Sequence, residues 1–155
     1  MEKKFRLLFV CLGNICRSPM AECIMKEMVA KRGLTEQFYI NSAATSTEEW
    51  GNPIYPPARR KLQEKGVPLT DHRAVQMNAG DYARYDLLIG MDANNLRAMR
   101  CIAGGDPDGK LHRLLDYTDT PGDVADPWYT DDFDAAYRDI SRGCKALLDH
   151  LTNIK

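Results

Sequence analysis

Short, continuous apolar runs alternate along this chain with segments in which apolar residues recur every three or four positions. The short runs are typical of parallel β-strands, which are covered on both faces, and the three-to-four spacing is typical of helices. We predict strands at residues 6–10, 38–42, 85–91 and 110–115. We predict helices from Ser18 to Gly33, at 57–65, at 93–101 and from Phe133 to Leu151. The first helix should start at Ser18-Pro19, because proline suits the first helical position.

Strands that alternate with helices within 155 residues predict an α/β fold, a three-layer sandwich of helices around a parallel sheet. No internal repeat, low-complexity tract or linker interrupts the pattern, so residues 1–155 are predicted to form one domain. The stretches 45–56 and 118–130 are rich in Pro, Gly and Asp and are predicted to be surface loops. Ligands of open parallel sheets bind at the carboxyl ends of the strands, and residues 11–18 lie at such an end.

Composition and charge argue against several classes of protein. The formal net charge is −1, so the chain has no overall attraction to nucleic acid or to an anionic membrane. No apolar run approaches the roughly 18 residues of a membrane span, and residues 1–4 form no apolar leader. The five cysteines are an odd number without framework spacing, which favours a reducing compartment. We therefore expect a cytoplasmic, monomeric protein with free thiols and with neither nucleic acid nor membrane as partner.

The segment from Cys11 to Ser18 carries the candidate chemistry. Five residues between Cys11 and Arg17 can wrap their N–H groups around one tetrahedral anion, and the following helix adds its positive end. These phosphate-binding candidates are Leu12, Gly13, Asn14, Ile15 and Cys16. Gly13 and Asn14 are residue types that tolerate the positive φ that a tight wrap demands.

Arg17 offers a planar fork of donors that can hold two oxygens of a phosphate. The same positive potential falls on Cys11 and should favour its thiolate, to which Ser18 can donate a hydrogen bond. The segment lacks the Gly-x4-Gly-Lys pattern of nucleoside triphosphate sites. A nucleophile and a dianion site are therefore predicted to share one loop.

The run from Val10 to Pro19 closely resembles the signature of the low-molecular-weight protein tyrosine phosphatases. Further segments resemble the family in the right order: 40–43, 71–74, 91–96 and 126–129. The resemblance implies a four-stranded parallel sheet in the order 2-1-3-4. It also implies hydrolysis of phosphotyrosine in proteins through a cysteinyl-phosphate, with inorganic phosphate as product and no metal or other cofactor. Ala44 replaces a glycine of many bacterial relatives, and Glu48 and Glu49 follow it, which leaves substrate preference open.

A general acid must protonate the leaving tyrosine oxygen. Spacing alone leaves six candidates open: Asp116, Asp119, Asp123, Asp126, Asp131 and Asp132. The resemblance selects Asp126, and Pro127 should hold it in an extended backbone. The resemblance also implies that Ser42 and His72 support Asn14.

Three aromatic residues of the long loops, Trp50, Trp128 and Tyr129, are candidates for the rim of a slot that accepts an aromatic ring. Cys11 and Cys16 lie on one curled loop, where their Cα atoms can approach within the roughly 4.4–6.8 Å that a disulfide needs. A redox-active pair is therefore predicted.

Two rival functions share parts of this pattern. An arsenate reductase uses the same fold and loop but needs two further reactive cysteines after the third strand, where only Cys101 lies nearby. A catalytically inactive phosphotyrosine-binding module would be expected to lack Cys11 or Asp126, and both are present.

Overall fold

The computed structural model describes residues 4–153 of the chain. Four strands occur in that part: β1 (Phe5–Cys11), β2 (Phe38–Ala44), β3 (Leu87–Gly90) and β4 (Leu111–Arg113). The α-helices are α1 (Arg17–Lys31), α2 (Pro56–Glu64), α3 (Asp81–Arg84), α4 (Ala93–Ala103), α5 (Pro127–Thr130) and α6 (Phe133–Thr152). Short 3-10 helices cover Thr35–Gln37 and Leu114–Tyr117. None of the helices described has the length and apolar character needed to cross a bilayer.

The strands form one parallel sheet in the order β2-β1-β3-β4. This order and the flanking helices confirm the predicted α/β fold. In the register of the sheet, Leu7 of β1 lies between Ile40 of β2 and Leu87 of β3. β2 and β3 lie on opposite sides of β1, so the strand order reverses direction at β1. In open parallel sheets, such a reversal leaves a crevice at the carboxyl ends of the strands.

Both faces of β1 are covered, as the continuous apolar run predicts. Leu7 and Phe9, both fully buried, belong to the core beneath α1 and α6, whereas Leu8 and Val10 pack into a second core with Met99 of α4. Alternate side chains of a strand point to opposite faces, so one strand contributes to two cores. The helices on the two faces therefore hold the end of β1, and Cys11 with it, in a defined position.

Several boundaries differ from the sequence-based prediction; the third strand, for example, covers Leu87–Gly90 and not 85–91. The first helix begins at Arg17, so Pro19 occupies its third position. Proline is tolerated there because the N–H groups of the first helical turn have no carbonyl partner within the helix. The predicted fourth strand is only three residues long and continues as the 3-10 helix Leu114–Tyr117. The predicted loop 118–130 ends in α5, a four-residue helix that is too short to show the helical spacing of apolar residues in the sequence.

Two long-range segments meet the carboxyl end of the sheet near Cys11. Ala44 exchanges hydrogen bonds with the segment 75–77: its N–H donates to the Val75 carbonyl at 2.7 Å, and its carbonyl accepts from the Met77 N–H at 2.7 Å. The Val124 N–H donates to the Met91 carbonyl at 2.9 Å, which ties the 118–130 stretch to the end of β3. Residues far apart in the chain therefore surround the loop that follows β1.

Candidate active site

The loop between Cys11 and Arg17 leaves its backbone amides open. In the part of the chain described, the N–H groups of residues 12–16 donate to no protein acceptor. α1 begins directly behind the loop, and its N-cap residue, Cys16, makes no side-chain capping bond. Open amides at the start of a 15-residue helix form a site that favours a tetrahedral anion.

Cys11 places its sulfur inside this loop. The residue is only 4% exposed. The Ser18 hydroxyl lies 3.0 Å from the Cys11 Sγ, and the Ser18 N–H donates to the same sulfur at 3.4 Å. The Ser18 hydroxyl also accepts from the Asn14 Nδ2 at 2.8 Å, so its own hydrogen can point to the sulfur. Both contacts bring hydrogen-bond donors of Ser18 to the sulfur.

Asn14 has φ of 59°, in the left-handed region, and its side chain is fully buried. The Asn14 Nδ2 donates to Ser42 Oγ at 3.0 Å as well as to Ser18, and its Oδ1 accepts from the Val75 N–H at 3.2 Å. The Asn14 carbonyl lies 2.6 Å from His72 Nε2, which must donate because a carbonyl only accepts. Strained backbone persists where its surroundings over-determine it. Ser42 and His72 are both among the residues that hold Asn14.

A buried carboxylate that the sequence analysis missed extends this network. Glu22 of α1 is 5% exposed and accepts from the Ser42 hydroxyl at 2.6 Å and from Lys26 Nζ at 2.6 Å. Because the Ser42 hydrogen is directed to Glu22, the oxygen of Ser42 remains an acceptor for Asn14. A glutamate in a helix carries no local signal for such a contact, since its partner lies 20 residues away in β2.

Gly13 does not adopt the left-handed backbone that the sequence analysis expected; among residues 12–16, only Asn14 has a positive φ. The space beside Gly13 is limited by a side chain from another loop. A Cβ at Gly13 would lie 3.3 Å from Glu49 Cγ. The loop that contains Glu49 therefore packs against the backbone of Gly13.

Arg17 is 3% exposed, and residues outside the Cys11–Ser18 loop hold its guanidinium. Its Nη1 donates to the Val124 carbonyl at 3.0 Å, and its Nη2 lies 3.0 Å from Asp92 Oδ2 and 3.4 Å from Asp126 Oδ2. A guanidinium has five N–H groups, so donors remain for an anion. The arginine thus joins the cysteine loop to the ends of two other segments.

Among the six candidate aspartates, Asp126 is the one that lines the cavity beside the loop. It is the N-cap of α5: its Oδ1 accepts from the Trp128 N–H at 3.1 Å, and Pro127 occupies the first helical position. The other carboxylate oxygen faces Arg17. Asp123, by contrast, accepts from the Ala93 N–H and from Arg113, each at 3.0 Å.

A cavity of about 240 Å³ opens above the loop. Its base and walls are formed by Cys11, Leu12, Gly13, Ile15, Cys16, Arg17, Ser46, Glu48, Glu49, Asp126, Trp128 and Tyr129. Trp128 and Tyr129 are 54% and 81% exposed and form an aromatic side, and Trp128 packs against Tyr55 with ring centroids 5.1 Å apart. Trp50, predicted at the rim, is 62% exposed and does not line the cavity.

The two thiols of the loop differ in their surroundings. Burial raises the pKa of Cys16 to about 12, and the neighbouring Cys11 contributes in the same direction. Cys16 is therefore a neutral thiol at pH 7. All five cysteines are free in the structure.

Within residues 4–153, no three His, Cys, Asp or Glu side chains are grouped so that they could hold a metal ion. The charged and nucleophilic groups that line this cavity are thiols, the guanidinium of Arg17 and carboxylates, and the open amides of the loop lie beside them. Together they define a thiol-containing site for a tetrahedral oxyanion bound next to an aromatic surface.

Comparison with known proteins agrees with this class of site. The family model for low molecular weight phosphotyrosine protein phosphatase matches residues 6–155. The low molecular weight protein-tyrosine-phosphatase YfkJ of Bacillus subtilis is 39% identical over 144 residues, covering 92% of both chains. The human low molecular weight phosphotyrosine protein phosphatase is 35% identical over 148 residues, covering 92% of this chain and 93% of the human one. The crystal structure of YfkJ superposes with a TM-score of 0.95 at 36% identity, over 98% of this chain and 97% of that one.

The chain therefore belongs to the low molecular weight phosphotyrosine protein phosphatase family, and it is an enzyme of that kind. The resemblance noted in the sequence is confirmed.

Proposed function

We propose that this protein hydrolyses phosphotyrosine in proteins, with Cys11 as nucleophile, Arg17 as anion clamp and Asp126 as proton donor and acceptor. One observation carries the proposal: the Cys11 sulfur lies within the loop of open amides, with Arg17 and Asp126 lining the same cavity. The loop amides and Arg17 would bind the phosphate oxygens, while Trp128 and Tyr129 would contact the tyrosine ring.

The first step forms a covalent intermediate. The Cys11 thiolate attacks phosphorus, the bond from phosphorus to the tyrosine oxygen breaks, and Asp126 gives its proton to that oxygen. The products are an unphosphorylated tyrosine residue in the substrate protein and a cysteinyl-phosphate on the enzyme. The loop amides and Arg17 stabilise the charge on the three phosphoryl oxygens as it changes.

The second step restores the enzyme. Asp126, now a carboxylate, takes a proton from a water molecule, and the water oxygen attacks phosphorus. The bond from phosphorus to sulfur breaks, inorganic phosphate leaves, and Cys11 is again a thiolate. Apart from the substrate and one water molecule, every group in both steps belongs to the chain, so the proposed reaction uses no metal or other cofactor.

The proposal includes the partners, the oligomeric state and the location of the enzyme. The net charge of −1 supports a protein without nucleic acid or membrane as partner, and the five cysteines support a cytoplasmic location. We also expect the enzyme to be a monomer. The substrate protein supplies the phosphotyrosine, and no other partner is needed for the reaction.

Cys11→Ser tests the nucleophile. The serine variant should show no turnover of a phosphotyrosine peptide in EDTA, while wild type remains active. Phosphate affinity, measured by isothermal titration, should stay within about tenfold, because open amides and Arg17 provide most of the anion binding. Hydrolysis that persists in Cys11→Ser would contradict the assignment, as would loss of wild-type activity in EDTA.

A further inference from the structure

Asp92 is a carboxylate beside Arg17 to which the proposed reaction gives no role. Its Oδ2 lies 3.0 Å from Arg17 Nη2, closer than the 3.4 Å to Asp126 Oδ2. The side chains of Arg17 and Asp92 are 4% and 17% exposed, so solvent screens this ion pair little. Asp92 is therefore the nearer of two carboxylates that compete for the same nitrogen.

The other oxygen of Asp92 is bound by the start of α4. Asp92 Oδ1 accepts from the Asn95 N–H at 2.7 Å, and Asn95 Oδ1 accepts in return from the Asp92 N–H at 3.2 Å. Asn95 Oδ1 also accepts from the Met91 N–H at 3.0 Å, and Asn95 is 4% exposed. The backbone N–H of Asn95 therefore holds the carboxylate of Asp92 before any ligand arrives, and the Asn95 side chain completes the cap of α4.

Arg17 is held at two points near the carboxyl end of strand β3. Val124, whose carbonyl accepts from Nη1, is itself bonded to Met91, the residue before Asp92. The two contacts leave the remaining N–H groups of the guanidinium for the loop. A planar fork that is fixed at both terminal nitrogens has one orientation, which is what binding of two phosphate oxygens requires.

We propose that Asp92 is a positioning residue, which orients Arg17 towards the phosphoryl group and keeps it from pairing fully with Asp126. The inference rests on the proposed roles of Arg17 and Asp126. Without the Asp92 carboxylate, Asp126 is the only carboxylate near Nη2 among the residues described. Arg17 would then turn towards Asp126 and away from the phosphoryl group.

Asp92→Asn is the central test. The side-chain oxygen of Asn can still cap α4, but its NH2 group, which only donates, would replace the oxygen that accepts from Arg17. A displaced catalytic group can cost about 100-fold, so we expect kcat/KM for a phosphotyrosine peptide to fall by roughly 10–100-fold. Removal of a negative charge near an anion site would by itself strengthen phosphate binding. We expect weaker phosphate binding by isothermal titration, which only the loss of Arg17 orientation explains.

Asn95→Ala is the matched control. It removes half of the cap but leaves the Asp92–Arg17 pair, so it should lower Tm and keep kcat/KM within about threefold, since a cap acts on helix stability. In Asp92→Asn, the reverse pattern is expected: Tm close to wild type and a large loss of kcat/KM. Equal losses of Tm and kcat/KM in the two variants would overturn the inference, because Asp92 would then act through α4 alone.

A second measurement isolates the route through Arg17. In an Arg17→Lys background, which lacks the fork, Asp92→Asn should change kcat/KM by less than about threefold, because coupled residues are not additive. A full effect in that background would overturn the inference. Wild-type kinetics in Asp92→Asn, with Cys11→Ser inactive, would reject the role of Asp92 while the proposed function stands.

Discussion

At the scale of single residues, the arrangement around Asp126 separates it from the other loop acids. One oxygen caps α5 and the other faces the buried Arg17, so the carboxylate is oriented on both sides. Asp123 is bound by Ala93 and Arg113, and Asp131 has a left-handed backbone with φ of 59° at the end of α5. Only Asp126 of these three lines the cavity.

Asp126→Asn should therefore impair substrates in proportion to their need for a proton. Tyrosine, with a pKa of about 10, is a poor leaving group as an anion. A general acid contributes about 10²–10⁴-fold, so kcat/KM for phosphotyrosine should fall in that range. The defect should shrink for aryl phosphates with electron-withdrawing groups, and the basic limb of the pH–rate profile should flatten.

The measurement is kcat/KM for a series of aryl phosphates, because this quantity reports the leaving-group step even when the second step limits kcat. Asp123→Asn and Asp131→Asn are the controls and should change kcat/KM little. A defect of equal size for all leaving groups, or a larger one in Asp123→Asn, would mean that another acid acts.

The second prediction at this scale concerns oxidation of Cys11 and Cys16. Peroxide converts the Cys11 thiolate to a sulfenic acid, and attack by the Cys16 thiol then forms a disulfide and releases water. Oxidation also removes the negative charge of Cys11, one of the causes that raise the pKa of Cys16, and so favours this attack. The disulfide would protect Cys11 from irreversible oxidation.

Cys16→Ser should therefore recover less activity than wild type when dithiothreitol follows peroxide. Activity is measured before peroxide, after it and after reduction, at several peroxide concentrations. Cys144→Ser is the control, because Cys144 is fully buried in the core and lies outside the loop. Equal recovery in Cys16→Ser and wild type would contradict the pairing of Cys11 with Cys16.

At the scale of elements, α6 approaches the 3-10 helix Leu114–Tyr117 very closely. Gly143 lies within α6, and a Cβ at this position would be 2.5 Å from Leu114 Cγ. Leu114 is fully buried, so its branched carbon has little room to move. The glycine serves close packing between two elements.

Gly143→Ala should destabilise the protein although alanine is the better helix former. Glycine within a helix costs about 0.5–1 kcal/mol relative to alanine, whereas overpacking of a core costs about 1–3 kcal/mol. We expect the overpacking to dominate, with a net loss of about 1–2 kcal/mol in the free energy of unfolding. Urea denaturation measures this loss from the midpoint at constant m-value.

A Leu114→Ala background provides the control for this contact. There, Gly143→Ala should become neutral or stabilising, because the obstructing side chain is gone. The same loss of stability in both backgrounds would show that Leu114 is not the cause.

At the scale of the whole molecule, the site joins segments that are far apart in the chain. Arg17 reaches Val124 across 107 residues and Asp92 across 75, while Asn14 is held by His72 across 58. The four parallel strands make this possible, because their carboxyl ends share one edge of the sheet. A substitution that disturbs the packing of any of these strands is therefore expected to disturb the geometry of the site.

The sequence by itself determined the features that depend on neighbouring residues. The apolar run before Cys11 predicted β1, the three-to-four spacing predicted the helices, and the Cys11–Ser18 segment indicated an anion loop and its nucleophile. These signals are local, because strand and helix periods and the wrap of a loop involve residues within a few positions of one another. The order of the strands came from the family resemblance.

Only the tertiary structure decided the contacts between distant segments. Spacing left six aspartates open, and packing brought Asp126 to the cavity. It also revealed Glu22 behind Ser42, Asp92 beside Arg17, and Glu49 against Gly13. Such contacts leave no periodic trace in the chain, because they depend on which strand ends lie side by side and on the space between side chains once the sheet has formed.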